Sequence, residues 1–125
     1  MFTVQVAGRT YPLELTVQAF AGISELCPEQ DFSRFNELLS ASGTKGCLNI
    51  AALTCVLVEA SETKAAYEQP GYKPHPVSIQ DIMHLPFQEY LALRGVVIDT
   101  IYTGLMAKTV ELADSKKATA ENESR

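Results

Sequence analysis

The chain has 125 residues, 46% of them hydrophobic and 20% charged, and a formal net charge of −5. That length suits one domain with a core of its own, and the scattered basic residues form no Lys/Arg stripe of the kind a nucleic-acid surface needs. No uninterrupted apolar run reaches the ~20 residues that span a bilayer, so neither nucleic acid nor membrane is an expected partner.

The chain opens with "FTVQVAGRTYPLELT". In steps of two, Phe2, Val4 and Val6 lie on one side. Tyr11, Leu13 and Leu15 lie on the same side across a turn at Gly8, which predicts a β-hairpin over 2–15 with one apolar face. The alternation pairs Val6 with Tyr11, Val4 with Leu13 and Phe2 with Leu15. Two connections fit: a two-residue Gly8-Arg9 turn, or a four-residue loop from Ala7 to Thr10. Pro12 has no N–H. The shorter turn would set it in a hydrogen-bonded pair with Gln5, whereas the longer loop turns the missing donor outward, which favours the longer loop. The outer edge of the second strand is then interrupted at Pro12, and the outer edge of Phe2 to Val6 is not.

Helical spacing follows. Thr16 caps a segment carrying Val17, Phe20, Ile23 or Ser24, and Cys27, which Pro28 ends. Asp31 opens a second helix with Phe32, Phe35, Leu38 and Leu39 on one stripe, closed by Ser42-Gly43, and "SGTKG" reads as a loop. The segment "LNIAALTCVLV" is apolar nearly all round, as a central helix is. A buried strand competes for so many β-branched residues, but "EASETKAAY" continues without a breaker and favours one helix to about Tyr67.

The stretch "EQPGYKPHP" is a loop by its prolines and glycine. In "VSIQDI", Ser78 caps, Asp81 sits three residues on and Val77 can staple to Ile82. Pro86 ends this short helix or opens the next. A long helix then carries Phe87, Tyr90/Leu91, Val97/Ile98, Ile101 and Leu105 to about Leu112, and Gly95 and Gly104 inside it mark candidate close crossings. The fold class is mainly α with an N-terminal β-hairpin (α+β): a compact bundle of about five helices in one domain over 2–112. A polar, disordered tail is expected over 113–125.

Chemistry-bearing residues are few. Cys27, Cys47 and Cys55 form no C-x-x-C pair, and Met1-Phe2-Thr3 leads directly into a strand, so reduced thiols in a cytoplasmic protein are expected. His75 lies in the proline loop. His84 lies near a helix C-terminus, where partial positive charge is favourable. Neither has a metal-ligand partner at the usual spacing. Glu59 and Glu62 read as a solvated helix face rather than paired acids. Gly8, Gly43 and Gly46 form no phosphate loop, and Tyr67 and Tyr72 read as packing under the loop. The expectation is a non-enzyme with no catalytic, cofactor or metal site. An isolated hairpin is marginal in water, so Phe2, Val4, Val6, Tyr11 and Leu13 either pack on the helices or form a self-association or partner surface. Even when the face is packed, an open strand edge can accept another chain.

The hairpin "VQVAGRTYPLELT", the apolar central helix, the proline loop, the capped "VSIQDIM" helix and the final long helix occur in an order that resembles a known family. These are the tail assembly chaperones of long-tailed (siphovirus-type) bacteriophages and prophages, and the resemblance covers about residues 2–112. It implies a non-catalytic protein of the host bacterial cytoplasm that self-associates into multimers or spirals. It also implies coating of the helical tape measure protein, which is kept soluble until tail tube proteins arrive. In many such phages a ribosomal frameshift adds a C-terminal extension, which here would follow residues 113–125. Two other classes compete: a generic intracellular adaptor that binds a partner helix in an apolar groove, and a small cysteine- or metal-dependent enzyme.

Overall fold

The computed structural model describes the backbone of residues 2–120 and the side chains of residues 2–106. An antiparallel hairpin, β1 (Phe2–Val6) and β2 (Arg9–Leu13), is followed by five α-helices. These are α1 (Val17–Leu26), α2 (Phe35–Ser40), α3 (Gly43–Glu68), α4 (Ile79–Met83) and α5 (Phe87–Ala120), with short 3-10 turns at Pro28–Gln30 and Phe32–Arg34. This is the helical α+β bundle with one N-terminal hairpin that the residue periodicity predicts. The tail expected over 113–125 falls on residues whose side chains, and from 121 on whose backbone, lie outside the described ones.

The hub is α3, which packs against α1, α2, α4, α5 and β2. It buries Ile50, Ala51, Leu53, Leu57 and Val58, and the buried Thr54 hydroxyl donates to the Ile50 carbonyl at 2.8 Å, so this donor is not stranded in the core. Its 26 residues are long and apolar enough, by length and composition, to cross a membrane. The count of uninterrupted apolar residues did not anticipate this.

The helix starts obey the capping signals. Thr16 Oγ1 accepts the Ala19 N–H at 3.1 Å. Asp31 accepts from the Ser33 N–H at 3.0 Å. Ser78 and Asp81 form a reciprocal capping box, with Ser78 N–H donating to Asp81 at 3.0 Å and Asp81 N–H to Ser78 at 3.2 Å. The "SGTKG" segment is not a loop: Gly43 to Gly46 are the first turn of α3. Gly43 enters at φ +64, and a Cβ on Gly46 would come within 2.5 Å of the Ala41 carbonyl oxygen. Both glycines serve a tight entry, which resembles a loop in composition.

Two predicted helix faces hold in part: Ile23 and Cys27 on α1 and Val97 and Ile101 on α5 are buried as expected, with Tyr90 and Leu105 packed against the core, but each stripe fails at its start. On α1 the buried residues are Ala19 and Ile23, followed by Cys27, while Val17 is 80% exposed. Small residues explain this. A Cβ on Gly22 would meet Val56 at 2.8 Å, so α1 approaches α3 on its Ala19/Gly22 side rather than on its bulkiest one. On α5 the core takes Leu93, Val97 and Ile101, leaving Phe87 64% exposed. Gly104 is the expected close crossing, since a Cβ there would lie 2.5 Å from Leu15 Cβ. Gly95 is not, with nothing within 4 Å.

Candidate functional site

The hairpin register differs from both sequence alternatives. Val4 pairs with Tyr11, Phe2 with Leu13, Thr3 with Pro12 and Val6 with Arg9. The turn is Ala7-Gly8, both at positive φ (52 and 77), as a two-residue I′ hairpin requires. Accepting alanine at positive φ moves the turn one residue earlier and shifts the pairing by two. A shift of two leaves every side chain on its original face, so the inward set survives the wrong register. Pro12 still avoids harm. Counting from the hydrogen-bonded Val6/Arg9 pair beside the turn, Thr3/Pro12 is a non-hydrogen-bonded pair, so the missing N–H points outward.

The proposed surface residues are placed mostly in the core. Val4, Val6, Tyr11 and Leu13 are buried, and Phe2 is partly buried against the same cluster. Each such burial contributes about 1.5–3 kcal/mol, so this face is covered by the subunit's own helices: β2 lies against α3 and β1 against α5. These side chains therefore do not form an open surface.

What β1 leaves open is its backbone edge. The sheet has only two strands among the described residues. By the same alternation the N–H and C=O groups of Thr3 and Gln5 face away from β2, and both residues are exposed. Beside this edge runs a cleft of about 380 Å³, lined by Thr3, Val4 and Gln5 on one side and Glu89, Ala92, Leu93 and Val96 on the other. The outer edge of β2 carries the Pro12 gap; β1 has none.

A second cluster ties the proline loop to the hairpin and the hub. Glu62 is only 5% exposed. Its Oε1 accepts the Tyr72 hydroxyl at 2.6 Å and the His75 backbone N–H at 2.9 Å, and the His75 ring stands 3.9 Å away. The Tyr11 hydroxyl donates to the His75 carbonyl at 3.0 Å. The bond to Glu62 raises the Tyr72 phenol above its ordinary range, with desolvation adding to it. The reading of Glu59 and Glu62 as one solvated face is thus wrong for Glu62. Thr54, Val58 and Glu62, spaced by four, are all buried, so that spacing was the available signal. Tyr67, by contrast, is 87% exposed and packs under nothing.

A third feature is a groove of about 320 Å³ between the start of α3 and the start of α5, lined mainly by apolar groups, with Arg94 as its one charged residue among the described residues. On its lining, Tyr90 is pushed up to about 12 by burial and by its bond to the Cys47 thiol. Burial likewise raises the Cys27 and Cys55 thiols, which lowers the thiolate fraction of both. His84 Nδ1 meets the Gln80 carbonyl at 2.8 Å at the end of α4. Among the described residues no three His, Cys, Asp or Glu side chains gather as a metal site.

No family model, no curated protein and no solved structure matches the chain.

Proposed function

We propose that the chain is a non-catalytic tail assembly chaperone of a long-tailed phage or prophage, acting in the bacterial cytoplasm. It self-associates and coats the tape measure protein until tail tube proteins displace it. The observation that carries this reading is the open β1 edge on an otherwise packed hairpin. Two copies can set β1 against β1 antiparallel, Thr3 and Gln5 of each exchanging backbone bonds with the other, to make one four-stranded sheet. The order of elements over residues 2–112 supports the same reading.

Co-expression with the long, helix-rich product of the gene immediately downstream tests it. The reading expects that product to remain soluble and to co-purify with several copies of the chain. A downstream product that precipitates equally with and without the chain would overturn it.

The exposed apolar residues of the α3/α5 groove favour a second reading, an adaptor that takes a partner helix there. A chain that stays monomeric at every concentration would favour the adaptor.

A further inference from the structure

We propose that the groove between the starts of α3 and α5 receives helix α1 of a second copy of the chain, with Glu25 of one copy meeting Arg94 of the other. The inference rests on the self-association proposed above, but it uses a different surface from the β1 edge.

Three observations carry it. The first is the groove, with apolar walls that include Leu39, Cys47, Phe87 and Leu91, and with Arg94 as the only charge on its lining among the described residues. Phe87 is 64% exposed at one end, and Leu91 is exposed as well. Arg94 is half-buried and has no carboxylate partner among the described residues. A partly desolvated guanidinium in apolar surroundings is favourable chiefly when an anion reaches it.

The second is the outer face of α1. Val17, Ala21 and Glu25 recur at a spacing of four, so they share a face, and all three are exposed. Val17 is 80% exposed at the start of that row. Glu25 has no cation partner among the described residues. The helix therefore offers an apolar end and an acidic end, the complement of the groove.

The third is length. At the helical rise, Val17 to Glu25 spans about 12 Å and Phe87 to Arg94 about 10.5 Å. Laid parallel to α5, α1 of a neighbour sets Val17 beside Phe87 and Glu25 beside Arg94 together. Groove and helix are different surfaces of one subunit, so the contact is heterologous. It adds copies in a row rather than closing at two. The β1 edge makes pairs, and the groove links pairs.

The test is sedimentation velocity on the full chain over a wide concentration range, with circular dichroism to confirm folding. The parent is expected to grow beyond pairs. Arg94→Glu is expected to weaken that growth by at least about tenfold, because like charges then face each other. Glu25→Arg, on an exposed helix face, is expected to do the same, and it keeps the test open if Arg94→Glu fails to fold. The double variant Glu25→Arg with Arg94→Glu is expected to restore growth. A parent that grows beyond pairs while Glu25→Arg leaves growth unchanged overturns this contact alone, as does a folded double variant without rescue. A parent that stops at pairs also overturns the contact and leaves the β1 edge standing. A parent that is monomeric throughout overturns both.

Discussion

At the scale of residues, Glu62 is the polar side chain on which most depends. Its carboxylate, itself buried, holds the half-buried Tyr72 hydroxyl and the His75 backbone at 2.6 and 2.9 Å. Glu62→Ala removes the shared acceptor of a half-buried hydroxyl and a partly solvated N–H, so a loss of about 1–3 kcal/mol in urea denaturation is expected. Glu62→Gln keeps an acceptor oxygen, and a loss of about 1 kcal/mol is expected. Equal losses for the two would show that the oxygen itself does not matter. The two long-helix glycines give a paired prediction. Gly104→Ala must displace Leu15, which a Cβ would meet at 2.5 Å, and is expected to cost about 1–3 kcal/mol. Gly95→Ala meets nothing within 4 Å and is expected to stabilise by about 0.4–1 kcal/mol. Sequence alone could not separate these two glycines. Their difference lies in where Leu15, nearly ninety positions earlier, is brought by the fold.

Among the elements, those with strong local signals were legible: the hairpin and its inward set, the central helix, the caps at Thr16 and Ser78, and the proline loop. What failed was geometry that depends on a neighbour. The hairpin turn was misplaced because Ala7 accepts a conformation that glycine or asparagine usually fills. The α1 face was read correctly at Ile23 and Cys27 but misread in its first turn, where close helix contact selected Ala19 and Gly22 over Val17 and Phe20. Burial of Val4, only 5% exposed, now gives Val4→Lys one expected outcome. An ammonium group cannot be housed there without a partner, so the variant should be largely unfolded, as read by circular dichroism and a lost cooperative transition. A folded Val4→Lys monomer would mean that the apolar face of β1 is not held by α5 as described.

For the whole molecule, stability should fall in alkali. The Cys27, Cys55, Tyr72 and Tyr90 side chains all hold their protons more tightly when folded: the two thiols through burial, Tyr72 chiefly through its hydrogen bond to Glu62, and Tyr90 through burial and then its bond to Cys47. A raised folded pKa contributes stability that is complete below the unfolded value and is lost as pH rises through the folded one. The thiols have an ordinary value of 9.0 and the phenols of 10.0, and Tyr90 reaches about 12. The urea midpoint should therefore hold steady up to about pH 9 and then decline, with tyrosinate absorbance rising alongside unfolding. A midpoint that stays flat to pH 12 would contradict these assignments. The central claim concerns how copies join: among the described residues the β1 backbone edge has no partner strand inside the subunit. Thr3→Pro addresses it most directly, because Thr3 sits opposite Pro12 and its N–H faces outward, so proline removes an edge donor and leaves the internal ladder intact. Sedimentation velocity of the folded variant against the parent should show pairing weakened by at least about tenfold. Pairing of a folded Thr3→Pro chain at the parent's affinity would contradict the account.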